Sequence, residues 1–396
     1  MVRPSPLSWN PVAGVLSLLG IWAMVGLPFL RSAANRMLTG EPVGLWQVMT
    51  VLPPALGWQL GGVLLLWGVT LVLTPSRRVM WLQVFAACAL TVLLVTLAGA
   101  YAHYVALSQS AIARTSLGGA FWVLLALTWL IAADALQRLG AGLATRIALL
   151  GGVLATVAWL LATGACDALS IMKEHANRAD TFAAAVLRHL QIVLFALIPT
   201  VCVGVPLGWW VHRQRAVNAV VFPVLNIIQT IPSIALFGLL MAPLALLAAS
   251  FPFFARAGIS GVGMAPGVIA LVLYSLLPVV RGTLAGLEQV PQAVLDAARG
   301  LGMSPGQIAW RVQLPLALPV LLSGVQTATI AAIGMATITA LIGAGGLGAI
   351  MFEGLFSSAQ DLVLLGVVPI VALAVLADAL FKLAIKLVQA TPTATP

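Results

Sequence analysis

Charge is scarce in this chain. Only 7% of its 396 residues are charged, against roughly 25% in a soluble domain. That is too little to cover a water-facing surface, which excludes a soluble enzyme, a disordered chain and a coiled coil. Lysine is scarcer still, limited to Lys173, Lys382 and Lys386. None follows a glycine-rich loop of phosphate-binding spacing, so the chain cannot be its own ATPase. Cysteine is limited to Cys88, Cys166 and Cys202, with no CxxC, which excludes a disulfide framework. His103, His175, His189 and His212 lack metal-ligand spacing, so no metal site is expected. The net charge of +9 does not indicate nucleic acid here, because basic residues of a membrane protein gather in cytoplasmic loops.

What is abundant is apolar sequence, at 62% of the chain. A bilayer core of about 30 Å needs roughly 20 apolar residues per helix. Ten runs meet that length: 11–30, 55–74, 79–100, 119–137, 147–165, 190–211, 221–248, 266–286, 316–341 and 362–388. The first is too long for a signal-peptide core and reads as an uncleaved helix. The seventh contains Pro223, Pro232 and Pro243 and is expected to be a broken or kinked helix, since each proline removes a donor and clashes with the preceding turn. The tail Thr391–Pro396 is of low complexity and expected to fray. With both termini in the cytoplasm, 12 of the 19 basic residues fall inside, among them Arg3, Arg77, Arg78, Arg146 and Arg281, and 7 fall outside, Arg36 among them. This satisfies the positive-inside rule. Asp134 precedes Arg138 by four residues and Asp378 precedes Lys382 by four, the favourable helical pairing.

Residues 288–315 are unlike the rest. This is a long polar connection organised as two short helices. Pro291 suits a first helical position. Val294, Ala298 and Leu301 recur at helical spacing and predict one apolar face. Gly302 is expected to take positive φ and stop the first helix. Ser304, Pro305 and Gln307 predict a capping box for the second, and Pro315 marks the start of the next span. Ala297 and Ala298 are small enough for close approach by a partner, and Asp296 and Arg299 offer charge for orientation.

This segment resembles the EAA loop of permease subunits of binding-protein-dependent ABC importers. Asp296-Ala297-Ala298 stands for the acid-alanine-alanine triplet, with aspartate in place of glutamate. Gly302 follows after three residues, and Val312, Leu314 and Pro315 supply the ending. The resemblance covers about 185–388 and is similar to the five-helix core of methionine- and betaine-type permeases. The segments Asn226–Phe237 and Leu341–Gly348 carry it further. The first looks most like the osmoprotectant branch, and the extra N-terminal spans resemble long Yeh-type permeases.

The resemblance implies an all-α polytopic protein of the bacterial inner membrane. Five extra helices in 1–165 and an extracytoplasmic linker at 166–189 would precede the core, and a tail at 389–396 would follow it. It implies two cytosolic ABC ATPase subunits using ATP and Mg, an extracytoplasmic substrate-binding protein, and a second permease copy or a paralogue. No cofactor is expected on this chain. The solute would be glycine betaine or a related quaternary amine.

The polar residues Asn226, Gln229, Thr230 and Ser233 surround Pro232 inside an apolar region. They either line a pathway or satisfy backbone groups freed by the proline, and the sequence leaves both readings open. Thr337 and Thr339 are weaker candidates of the same kind. Gly343, Gly345 and Gly348 satisfy a dinucleotide-binding spacing. That fingerprint needs a strand before it, and here a tight extracytoplasmic turn is the better reading. Nine of the twelve tryptophans precede residue 160, so the core offers no aromatic cage for a quaternary amine. The rival class is an ion-driven secondary transporter, which should show two related halves with paired broken helices and acids at mid-membrane.

Overall fold

In the computed structural model the described residues are 11–35, 38, 40–73, 76–110, 112–256 and 258–390. Arg3, Arg36 and the tail Thr391–Pro396 lie outside them. The chain divides into two compact units, Met1–Asn177 and Arg178–Pro396. Among the described residues, eight helices are long and apolar enough to cross a membrane, and shorter apolar helices accompany them.

The N-terminal unit holds α1 (Pro11–Gly26), α2 (Leu45–Val51), α3 (Pro54–Val72), α4 (Arg77–Ser108), α5 (Gly119–Arg138), α6 (Leu143–Ala162) and α7 (Ser170–Ala176). The first apolar run does not stay helical to residue 30. It stops at Gly26 before Pro28, and Leu30–Ala33 becomes a strand, β1. With β2 (Glu41–Val43) and β3 (Arg114–Leu117) it forms an antiparallel sheet in the order β2-β1-β3. Leu30 faces both Val43 and Leu117. Pro42 sits on an edge strand, where a missing donor is tolerated. Phe29, Leu30, Leu94, Leu97 and Ala98 are completely buried in this unit's core. The sheet was not expected from the sequence, because its strands are only three or four residues long and β3 comes from a distant segment.

The second unit holds α8 (Ala179–Arg213), α9 (Arg215–Thr230), α10 (Ser233–Ser250), α11 (Pro252–Arg256), α12 (Met264–Glu288), α13 (Gln292–Gly300), α14 (Pro305–Ile308), α15 (Leu314–Ala336), α16 (Leu347–Phe356) and α17 (Gln360–Ala390). The helix expected to begin at 190 begins at Ala179, so the expected linker 166–189 is largely helical, as α7 and the first turns of α8. Its polar start is sustained by partners. Arg178 forks onto both Glu353 oxygens at 2.6 Å, and Arg188 Nε donates to the Ala344 carbonyl at 3.1 Å.

Helix α12 is the centre of this unit, packed between α8 and α15. Small residues allow the close approach, as in membrane helix pairs generally. A Cβ on Gly282 would lie 2.7 Å from the Gly324 Cα, and one on Gly286 would lie 2.6 Å from the Ala317 oxygen. On the other side, a Cβ on Gly208 would lie 2.7 Å from the Thr283 Cβ. The two helical acid–base pairs form as the spacing predicts, Asp134 with Arg138 at 2.8 Å and Asp378 with Lys382 at 2.6 Å. Gln326 Nε2 also donates to Asp378, at 2.6 Å, so α15 and α17 share a polar tie.

Candidate functional site

The turns of the 288–315 segment are closed by its own residues. Pro291 is the N-cap of α13, one position before the place expected for it. At the other end Gly302 has φ +75°. Its N–H bonds the Arg299 carbonyl at 2.9 Å, and the Met303 N–H bonds the Ala298 carbonyl at 3.2 Å. This is a Schellman motif, which closes the last carbonyls of a helix. Ser304 then opens α14. Its hydroxyl accepts from the Gln307 N–H at 3.3 Å, while Gln307 Oε1 accepts from the Ser304 N–H at 2.8 Å. Both donors of the capping box are thus satisfied.

The second helix is not a separate short element. Residues Ala309–Gln313 form a π turn that runs directly into α15. The Leu314 N–H reaches back to the Ala309 carbonyl. The wider turn makes room before Pro315, which has no N–H to donate and whose ring crowds the turn before it.

The buried face differs from the expected one. Val290, Leu295, Ala298 and Ile308 form a small core, with Met303 and Val312 half-buried against it. Val294 and Leu301 point outward, Leu301 at 83% exposure. The reason is the short α13, whose inner face is set by packing on α14 rather than by its own periodicity. Ala298 therefore lies under the surface, and only Ala297 of the alanine pair is exposed. Asp296 and Arg299 are exposed and paired at 2.7 Å, and Gln292 Nε2 donates to the same Asp296 oxygen at 3.2 Å. Gly302 and Pro315 are exposed, and Leu314 is half-buried. Trp310, 73% exposed, joins Leu301 as an outward apolar group that the sequence reading did not single out.

A second feature is an open cleft of about 910 Å³ bounded by α12, α15 and the junction of α9 with α10. The overlong apolar run is divided there. Helix α9 ends at Thr230, α10 begins at Ser233, and Ile231-Pro232 lies extended between them. Gln229, Thr230 and Ser233 line the cleft. Asn226 does not. It accepts from Arg281 Nη2 at 2.9 Å and so orients the one charged side chain on the cleft wall. Gln229 donates to the Tyr274 carbonyl at 3.0 Å, and Thr230 to the Ile227 carbonyl at 2.7 Å. These two side chains both line the cleft and satisfy backbone carbonyls. Tyr274, Ser275, Arg281, Ser323 and Thr327 complete its polar wall. The sequence did not assign them to a site because they are spread over two distant helices. Thr337 and Thr339 do not line the cleft, and Thr339 bonds the Ala336 carbonyl at 2.7 Å.

The glycine-rich segment at 343–348 follows a 3-10 turn, Ile338–Ile342, rather than a strand. Gly343, Gly345 and Gly346 all have positive φ. It is a tight turn between helices, without the strand a dinucleotide fingerprint requires.

Comparison with known proteins extends these observations. Residues 10–172 match the N-terminal domain of the ABC transporter permease YehY. Residues 200–389 match the family described as the binding-protein-dependent transport system inner membrane component. The chain is 37% identical over 202 residues to the osmoprotectant import permease protein OsmW of Salmonella typhimurium, covering 51% of this chain and 89% of OsmW. The chain belongs to the binding-protein-dependent inner membrane permease family. This permease is also 38% identical over 190 residues to the choline transport system permease protein OpuBB of Bacillus subtilis, covering 48% of this chain and 80% of OpuBB. Among solved structures, an inward-facing MetNI methionine ABC transporter matches at 24% identity and a TM-score of 0.44, covering 52% of this chain and 96% of that one.

The permease is thus a multi-pass inner-membrane transport subunit and not itself an enzyme. Members of the family act with ATPase and substrate-binding components. Membership separates it from an ion-driven carrier, the other class its composition allowed.

Proposed function

We propose that this permease carries glycine betaine or a related quaternary-amine osmoprotectant into the cytoplasm, driven by two cytosolic ABC ATPases that dock on residues 288–315. The ATPases would use ATP and Mg, and this chain would hold no cofactor. An extracytoplasmic binding protein would deliver the solute. A second copy of the permease or a paralogue would close the open side of the cleft. Both termini would be cytoplasmic, as the distribution of basic residues favours. The extension, residues 1–165, would serve regulation or assembly rather than conduction.

One observation carries the coupling reading. The doubly capped segment leaves α12 and enters α15 through a helical turn, and both helices line the cleft. A push on exposed Asp296, Ala297 or Leu301 would therefore move the cleft wall, with Gly302, Val312, Leu314 and Pro315 holding the shape of the lever. Transport would proceed by alternating access, with Gln229, Thr230 and Ser233 on the path and Asn226 behind it. The cleft has Tyr274 as its one aromatic ring and Arg281 as its one charge among the described residues. Such a wall does not build a cage for a quaternary amine, which leaves selection to the binding protein. The substrate class follows the relatives named for osmoprotectants and choline.

The test is reconstitution of the permease with its ATPase and binding protein in liposomes. ATP hydrolysis stimulated by glycine betaine, together with uptake of the labelled solute, is the expected result. Stimulated hydrolysis with a different solute would replace the substrate. Hydrolysis that never responds to the permease would overturn the coupling.

A further inference from the structure

The N-terminal unit contains a second cleft, of about 640 Å³, between α3, α4 and α6. Its wall is made by Val63, Phe85, Leu93, Leu149 and Gly152, with Gln59 among a few polar groups. Helix α6 is the least covered spanning helix of this unit, with 11% of its apolar window buried, against 56% for α4 and 44% for α5. The cleft extends along α4 from Phe85 to Thr96, about 16 Å, and along α6 from Ala148 to Thr156, about 12 Å. It is long, open and lined mainly by apolar side chains, a surface suited to an acyl chain rather than to a polar solute.

One mouth of this cleft is strongly basic. Met80, Trp81 and Val84 at the start of α4 pack with Leu136, Leu139 and Ala141 at the end of α5 and with Leu149 near the start of α6. Those three helix ends therefore share one side of the unit. They bring Arg77, Arg78, Arg138 and Arg146 together against a single acid, Asp134. Asp134 is paired with Arg138 at 2.8 Å. Arg146 is exposed and donates to the Ala141 carbonyl at 3.1 Å and the Leu136 carbonyl at 3.4 Å. Arg77 and Arg78 are exposed and make no ion pair among the described residues. Phe85 lies seven residues beyond Arg78, about 10 Å along the helix. That is the offset between a lipid phosphate and the upper part of its chain.

We propose that the N-terminal unit binds an anionic phospholipid, with an acyl chain in the α3–α4–α6 cleft and its phosphate at Arg77 and Arg78. Basic mouths of clefts between membrane helices favour anionic head groups over zwitterionic ones. The chain fills space that α6 leaves open, so the bound lipid also fastens α6 to α4.

The experiment uses the full chain purified in detergent and stripped of lipid. Phosphatidylglycerol and phosphatidylcholine with the same acyl chains are added in equal amount, and retained lipid is counted by native mass spectrometry. Retention of phosphatidylglycerol over phosphatidylcholine by roughly tenfold is expected, from the gain of each basic residue near an anionic head group. Arg77→Gln with Arg78→Gln should bring the ratio close to one. Gly152→Leu should reduce retention of both lipids, since a Cβ at Gly152 meets no atom within 4 Å and the side chain has open cleft to fill. The same substitution should remove the rise in melting temperature that phosphatidylglycerol gives the unaltered protein. Equal retention of the two lipids by the unaltered protein would overturn the proposal. So would an unchanged ratio in the double arginine variant, or undiminished retention in Gly152→Leu.

Discussion

The hydroxyl of Tyr274 donates to the carbonyl of Ile231, and the Tyr274 carbonyl accepts from the side chain of Gln229. One residue of α12 thus holds the end of α9 and the first residue of the break that follows it. The Ile231 carbonyl lies where Pro232 interrupts the helix, so it needs an acceptor's partner from elsewhere. The break is an anchored joint.

Tyr274→Phe removes one of these bonds and keeps the ring. We expect destabilisation by about 1 kcal/mol, the net worth of a typical hydrogen bond, and slower uptake with the ATPase still stimulated. Thermal unfolding of the purified protein and a transport assay check this. An unaltered melting temperature would mean that the joint is held by packing alone.

Gly302→Asp tests the coupling proposed for residues 288–315. Its φ of +75° is unfavourable for a side chain, at about 1–2 kcal/mol. A Cβ there meets nothing within 4 Å, so the effect is backbone strain plus an added carboxylate, with no steric clash. Insertion should be normal, while stimulation of the ATPase and uptake should be lost. Normal stimulated hydrolysis in this variant would show that the segment is not the coupling element.

Asp296→Ala should be milder. The Asp296–Arg299 pair is exposed, with both side chains at 59%, and such pairs contribute between about 0 and 1 kcal/mol. The expected result is unchanged stability with a partial loss of ATPase affinity, measured by titrating the ATPase against the reconstituted permease. A complete loss would assign Asp296 a direct ion pair with the partner.

Gly324→Val tests the close approach of α12 and α15. A Cβ on Gly324 would lie 2.7 Å from the Pro278 oxygen and 2.9 Å from the Gly282 Cα. Backbone cannot yield as a side chain can, so we expect roughly 1–3 kcal/mol of destabilisation and reduced yield. Retention of full thermal stability would mean that the helices slide apart at little cost.

Orientation is checked by fusions. A reporter active only in the cytoplasm should work after Arg78, after Arg146 or after Gln389, and fail at Glu41 or Lys173. Activity at Lys173 would reverse the outside start of the second unit.

The local features of the 288–315 segment were legible in the sequence. Gly302, Ser304 and Gln307 act within a few residues of themselves, so their turn and cap follow from residue chemistry and spacing. The break at Pro232 follows equally from a missing donor. The sequence misjudged the inner face of α13, because Leu295 and Ala298 are buried by Ile308 and Met303 of the next turn, which a single-helix periodicity does not contain.

By itself the sequence determined that the chain spans a membrane, that a helix breaks at Pro232 and another stops at Gly302, and how two of its acid–base pairs form along a helix. All of these depend on neighbours in sequence or on total apolar length. Only the tertiary structure decided that β1 pairs with β3, that Asn226 turns Arg281 along the cleft wall, and that Arg77 and Arg78 share one mouth with α6. Each of those joins groups from distant segments, and the energy that brings them together comes from packing whole helices, which no local pattern of residues records.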